Sequence, residues 1–458
     1  MNKKDQFDAI IVGSGQAGNP LAIKLAHLGW KIALVEKNSI GGTCVNYGCT
    51  PTKTYVASAK KMHDCKHADR WGILWNAPPV FDIKSVKARK NTLVMQSVQN
   101  IKEKFTENPN ITLFMGMAKF TEPYVLKVED NYLTAPKIFL NVGARAHVPE
   151  GFDHPKCLTH KEMLELETLP RHLVVIGGSY IGLEFAQMFR RFGSEVTVIE
   201  KQSRILSKED KEVSVAIQEI LEKEGIHFHL NADCIGVGDV NGDVEVTASC
   251  AKDKLKVLGS HVLVAVGRKP NTDLLDLEQA GIHIDKNGFI KVDQNLETNL
   301  KGVFALGDCN GEGAFTHTAY HDYQIVSTAI SEKDQKQLKD RIPTYAMFID
   351  PPLARAGINL AEAKKDERKI LRGYLPMEKV ARAKEKGETE GFISILVDAA
   401  SKRILGATIL GIGADEIIGS ILNVMHAGLS IEIIRENVYP HPTVTELLPS
   451  VLEDLKPI

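Results

Sequence analysis

Phe7-Asp8-Ala9-Ile10-Ile11-Val12-Gly13-Ser14-Gly15-Gln16-Ala17-Gly18 decides how this chain folds. A short apolar strand runs into three glycines spaced for a strand-to-helix turn. The spacing of Leu21, Leu25 and Leu28 then predicts a helix, and Lys31 to Val35 a second strand that ends at Glu36. This is the βαβ pattern of a dinucleotide site. Its glycines permit a tight turn and close approach of backbone to a pyrophosphate, the helix N-terminus faces the phosphates, and the terminal carboxylate bonds a ribose hydroxyl. Pro20 is tolerable because it falls in the first helical turn.

The pattern returns. Leu173 to Ile176 leads into Gly177-Gly178-Ser179-Tyr180-Ile181-Gly182, a helix through Phe185 and Phe189, and a strand from Glu195 to Ile199 ending at Glu200. Twenty-three residues separate Gly13 from Glu36, and twenty-three separate Gly177 from Glu200. One glycine triplet is also compatible with an ordinary turn, but two copies in matching contexts predict two bound dinucleotides. Ser179 replaces the middle glycine with a residue still small enough for backbone approach. At Glu200 the carboxylate favours NADH by repelling a 2′-phosphate, while Lys201 and Arg204 are placed to hold one, so the second nucleotide is NADH or NADPH.

The chain has 458 residues, enough for about three domains. With 56 Lys and Arg against 58 Asp and Glu, the net charge is −2 and no long block of one sign occurs, which gives no support to a nucleic-acid or membrane partner. The apolar run at Ala9 to Val12 is too short for a signal peptide or a membrane span. Seven cysteines, of which Cys65, Cys157, Cys234, Cys250 and Cys309 are scattered, argue against a secreted disulfide framework. The expected location is cytoplasmic.

Cys44 and Cys49 stand apart from the other five. They lie in Gly41-Gly42-Thr43-Cys44-Val45-Asn46-Tyr47-Gly48-Cys49-Thr50-Pro51-Thr52-Lys53, where Thr50-Pro51 reads as a helix start. Unpaired N–H groups there, the helix dipole and Lys53 one turn on all favour a thiolate at Cys49. The pair reads either as a redox-active disulfide or as two reduced core cysteines.

The Cys-x4-Cys run, both fingerprints and His441-Pro442-Thr443-Val444-Thr445-Glu446 together resemble the class I pyridine nucleotide-disulfide oxidoreductases, a family that includes dihydrolipoamide dehydrogenase, glutathione reductase and mercuric reductase. The resemblance spans essentially the whole chain. It implies an α/β fold with two Rossmann-like domains and an α+β dimerisation domain: FAD-binding over 1–145 and 270–335, NAD(P)-binding over 146–269, interface over 341–458. It also implies a redox-active Cys44–Cys49 disulfide.

By the same resemblance, Gly13, Gly15, Gly18, Glu36, Lys37, Gly42, Thr43, Lys53, Gly116, Ala118, Asp308, Thr316 and His317 are FAD-site residues, with Asp308 on the ribityl chain and Thr316 and His317 near the flavin ring. Gly177, Ser179, Ile181, Gly182, Glu200, Gly267 and Arg268 match the pyridine nucleotide site. Glu184 matches the acid paired with Lys53, a cation suited to stabilising a reduced flavin. Cys49 is expected nearer the flavin and Cys44 more exposed, towards substrate.

From about Ile342 the texture changes. Strands such as Thr344 to Ile349 and the hairpin-like Phe392 to Leu410 alternate with helices, and Ile417, Ile418, Ile421, Leu422 and Met425 share a helix face closed by Gly428. Ser331 to Arg341 reads as a surface connection, and Glu362 to Lys369 and Glu378 to Glu390 as solvated faces. Thr443 to Glu446 fits a capping box. The resemblance makes His441 the acid/base and Glu446 its orienting partner, supplied by the other subunit of a homodimer.

The expected function is electron transfer from NADH or NADPH through FAD to Cys44–Cys49 and on to a disulfide, thiol or related sulfur substrate, in the service of cell redox homeostasis. The alternatives are reduction of a metal ion such as Hg(II), and a redox-sensing flavoprotein without a dedicated substrate. Against Hg(II) stand His441 where mercuric reductase has tyrosine, the lack of its extra N-terminal metal-binding domain, and an end, Asp454 to Ile458, without its vicinal cysteine pair.

Overall fold

Ala9–Val12 is wholly buried, as a strand covered on both faces must be, and it lies near the middle of a five-stranded parallel sheet. On one side come Ile32–Glu36 and Ile111–Met115, on the other Lys137–Leu140 and then Val303–Ala305. The structure is a computed structural model and describes residues 4–250, 253–331 and 336–458.

A second parallel sheet repeats this order. His172–Ile176 has Glu195–Ile199 and Ile226–His229 on one side, and His261–Val264 then Cys157–Leu158 on the other. The internal repeat is therefore a duplicated unit. Each copy also carries an antiparallel meander, Ala118–Glu122, Val125–Val128 and Asn131–Thr134 in the first, Ala232–Val240, Asp243–Cys250 and Asp253–Gly259 in the second. The copies differ in the outermost strand, which returns from far downstream in the first and comes from upstream in the second. That return carries Asp308 back to the first sheet.

The remaining chain forms a six-stranded antiparallel sheet containing Phe392–Asp398 and Ile404–Leu410 as a hairpin, with Ala414–His426 packed on it. Ile417, Ile418 and Ile421 are buried in that core, and Leu422 and Met425 pack at its margin. Among the described residues no helix is long and apolar enough to cross a membrane.

The structure corrects two local expectations. The first helix, Gly18–His27, ends before Leu28, which is 53% exposed, because Gly29 at φ 85° turns the chain into the next strand. The strand expected over Thr344 to Ile349 stops at Met347. Part of the expected surface connection, residues 332–335, lies outside the described residues.

Candidate active site

The two fingerprint turns share their close contacts. A Cβ on Gly18 would sit 2.1 Å from the Gly13 carbonyl oxygen, and a Cβ on Gly182 would sit 2.1 Å from that of Gly177. Gly13 and Gly177 both have φ above 100° and press against backbone, of Asn141 and Ala265 respectively. The terminal acids also agree: Glu36 accepts from the Ser14 N–H at 3.0 Å and Glu200 from the Gly178 N–H at 2.6 Å.

The cysteine run docks on the first turn. Gly41 N–H donates to Ser14 Oγ at 3.1 Å, Ser14 donates to Glu36 at 2.7 Å, and a Cβ on Gly42 would meet Gly15 Cα at 2.8 Å. Cys44 lies in the short helix Gly42–Asn46, and Cys49 is the first residue of Cys49–Lys66. Gly48 lets the two segments close up, since a Cβ there would meet Thr43 O at 3.0 Å and Cys44 Cα at 3.1 Å.

Both cysteines are free thiols, and their sulfurs share one neighbour: the Thr316 hydroxyl is 3.1 Å from each. Hydrogen bonding from the Cys44 thiol holds the Cys49 thiol well below its ordinary range, with Thr316 and the Lys53 charge adding and burial opposing. The Cys44 thiol is pushed up, first by that same pairing and then by burial. Both sulfurs line one cavity.

That cavity has a volume of about 410 Å³. It is lined by Gly13, Gly15, Glu36, Lys37, Gly42, Thr43, Cys44, Cys49, Lys53, Gly116, Ala118, Asp308, Thr316 and His317, which the sequence assigned to one site although they span some 300 residues, and by Ile181, Glu184 and Arg268. Lys53 donates to Glu184 at 2.6 Å and its ammonium stands 4.7 Å from the Phe348 ring centroid. The other Glu184 oxygen accepts from Phe348 N–H at 2.8 Å, so the buried carboxylate is held at both ends. Asp308 pairs with Arg268 at 3.0 Å; burial raises its carboxyl while Arg268 opposes.

Arg268, matched like Ile181 to the pyridine nucleotide site, lines this same cavity and donates to Ala144 O at 2.6 Å, because the strand Arg268–Pro270 pairs with Ala144–Ala146. Gly177, Ser179, Gly182, Glu200 and Gly267 do not line this cavity. Four of them form the second turn and its acid, while the Gly267 carbonyl accepts from His147 N–H at 2.9 Å.

His441 and Glu446 do meet, at 2.9 Å, but away from the cavity, with the imidazole 74% exposed. The capping box also exists, Glu446 N–H donating to Thr443 Oγ1 at 3.2 Å, although a 3-10 turn, Thr445–Leu447, intervenes before the helix Leu448–Glu453.

Several cavity residues escaped sequence reading. Asn141 donates from Nδ2 to Gly13 O at 3.3 Å, and its position directly after the strand Lys137–Leu140 was the available signal, since α/β sheets bind ligands at strand C-terminal ends. Tyr180 was hidden as a variable position of the fingerprint. His160, whose imidazole is lowered to about 4 by burial and then by Arg268, had no local pattern to mark it.

Comparison with known proteins follows the same division of the chain. Residues 7–330 match the pyridine nucleotide-disulphide oxidoreductase family model, and residues 342–451 match the dimerisation domain of that family. The chain belongs to this family. It is 35% identical over 459 residues to the probable pyridine nucleotide-disulfide oxidoreductase RclA of Escherichia coli K12, covering 98% of both chains. It is 31% identical to the dihydrolipoyl dehydrogenase of Chlamydia pneumoniae, over 96% of this chain and 95% of that one, and 30% identical to the mercuric reductase of Lysinibacillus sphaericus, over 97% and 81%. A solved structure of the Cu(II) complex of the HOCl-induced flavoprotein disulfide reductase RclA from E. coli superposes with a TM-score of 0.89 at 32% identity, covering 98% of this chain and 99% of that one. As a pyridine nucleotide-disulfide oxidoreductase, the protein is a flavoenzyme that uses FAD and NAD(P)H.

Proposed function

We propose that electrons leave this enzyme at Cys44 and Cys49 and pass to a disulfide or related oxidised sulfur substrate in the cytoplasm. One observation carries the reading: the two sulfurs, the first fingerprint and the Lys53–Glu184 pair line a single cavity. The residues present fit FAD there. The first turn is a close-packed backbone cradle with no room for a Cβ at Gly13, Gly15, Gly18 or Gly42, Ser14 and Glu36 close its acid end, and Asp308 and Lys37 offer polar groups further along. When bound, FAD supplies two-electron transfer between a pyridine nucleotide and the cysteine pair.

The chain's own residues do the rest. Lys53, fixed by Glu184, holds a positive charge in the cavity beside Cys49, where helix N–H groups also face. Cys49 keeps the thiolate and Cys44 takes the attacking role. His441, oriented by Glu446, moves the substrate thiol's proton, and its distance from the cavity in its own chain supports its delivery to the partner subunit of a homodimer. At the second turn Glu200 is bound by Gly178 N–H and by Gln202 N–H at 2.7 Å, leaving a carboxylate at the strand end that favours NADH.

The test is thiol counting. Anaerobic NADH should raise the titratable thiols of the wild-type enzyme by two per chain, and neither Cys44→Ser nor Cys49→Ser should show the rise. An unchanged count in wild type sinks the proposal. Turnover with lipoamide, glutathione disulfide, Hg(II) and Cu(II) then identifies the acceptor. A metal ion as acceptor is the second reading, favoured by the Cu(II) complex of the E. coli relative.

A further inference from the structure

Thr316 is the first residue of the helix Thr316–Ser331, and its neighbours hold it still. Phe315 stacks on Tyr345 with centroids 5.4 Å apart and planes 1° from parallel, its N–H donates to Thr318 Oγ1 at 3.1 Å, and His317 Nε2 lies 2.7 Å from Thr344 O. These contacts fix the backbone at the helix start, and from there the Thr316 hydroxyl reaches both sulfurs, 3.1 Å from Cys44 Sγ and 3.1 Å from Cys49 Sγ.

A hydroxyl has one proton to donate. Placed equidistant from two sulfurs, it can serve either by rotation of a single O–H bond, with no heavy atom moving. A reduced pair that shares one thiol proton carries one negative charge, and a donor to a charged acceptor makes a stronger hydrogen bond than a donor to a neutral one. We propose that Thr316 is a positioning residue, a switchable donor that holds the thiolate of the reduced pair on Cys49 and follows the charge to Cys44 when Cys44 attacks. The exchange is a proton transfer only: Cys44 thiol and Cys49 thiolate become Cys44 thiolate and Cys49 thiol.

The resting preference for Cys49 comes from its surroundings. The N-terminus of its own helix and Lys53 face it, with Cys44 donating from the Gly42–Asn46 helix; Glu184 on Tyr180–Phe192 opposes, and Tyr180 adds a phenol from the same helix. Cys44 is third in a short helix, Gly42–Asn46, that carries no basic residue. Thr316 reaches both sulfurs from outside the cysteine run.

This inference rests on Cys44 and Cys49 being the redox pair. The holoenzymes of wild type, Thr316→Val, Thr316→Ser and Cys49→Ser, fully reduced with a phosphine, are titrated by ultraviolet thiolate absorbance. Removing one hydrogen bond to a charged group should raise the thiolate midpoint of Thr316→Val by about one to two pH units, while Thr316→Ser stays within about half a unit of wild type. Coincident wild-type and Thr316→Val curves overturn the role of Thr316 alone. If Cys49→Ser removes nothing from the wild-type curve, the thiolate assignment itself falls. Equal shifts in the valine and serine variants would show a packing effect and also overturn the proposal.

Discussion

Adding one methyl group to Gly182, and separately to Gly18, tests which nucleotide each fingerprint holds. In both positions the new Cβ would lie 2.1 Å from a carbonyl oxygen, against 3.4 Å for ordinary contact. The oxygen belongs to the turn's own first glycine, so relief requires the helix start to back away by roughly 1.3 Å, the kind of overpacking that costs about 1–3 kcal/mol. The displaced atoms are the N–H groups that face a pyrophosphate. At 1.4 kcal/mol per factor of ten, affinity for the nucleotide on that turn falls by about 5- to 150-fold.

The assays separate the copies. Gly182→Ala should purify with its full complement of FAD, measured as visible flavin absorbance per protein, and show a KM for NADH raised by that factor. Gly18→Ala should purify with reduced flavin content, restored by added FAD at high concentration. A Gly182→Ala enzyme whose NADH affinity stays within about twofold of wild type refutes the steric argument. Loss of flavin from Gly182→Ala with NADH affinity intact would reverse the assignment of the two sites.

Three further outcomes are expected. Glu184→Gln keeps the bond to Phe348 N–H but leaves Lys53 without its counter-charge; with Lys53 about a third exposed, the loss is roughly 1–2 kcal/mol, a 5- to 30-fold slower reduction of the enzyme by NADH in stopped flow. Burial, first among its causes, holds His63, His160 and His321 down to about 4, so the folded chain stays neutral at these sites while the unfolded chain protonates below about 6.5. The holoenzyme's Tm should therefore fall as pH drops from about 6.5 towards 4, and a flat Tm over that window contradicts the burial of these rings. Finally, co-expressed Cys49→Ser and His441→Ala subunits, each inactive alone, should recover about one quarter of wild-type turnover if each site combines two chains, since half the dimers are mixed and half their sites intact; no recovery means that His441 and Cys49 serve a site within one chain, and an active His441→Ala parent places His441 outside the site.

Which parts of this architecture a sequence can disclose follows from how far apart the interacting residues lie. Gly13 and Gly18, or Gly177 and Gly182, act within one turn, and the spacing alone announces them. Cys49 and Lys53 are separated by one helical turn, so their mutual influence was equally readable. Nothing local, in contrast, brings Thr316 to two sulfurs more than 260 residues upstream, or Arg268 to Asp308. Those contacts come from sheet order: Val303–Ala305 pairs with Lys137–Leu140, and Arg268–Pro270 with Ala144–Ala146.

The same logic explains why His441 and the cysteines must be read differently. A residue needed within one chain is drawn to its partners by the sheets, as Lys53, Glu184 and Thr316 are. His441 is not: its ring is held by Glu446, five residues on, and projects into solvent from the third domain. Local fixation of an exposed ring is what a group destined for another surface requires, since its orientation is set before the surfaces meet. On the proposed reading Cys49 holds its charge inside the cavity while His441, which does not line it, supplies the proton step to a partner subunit, and a dimer that brings the two together would complete the site.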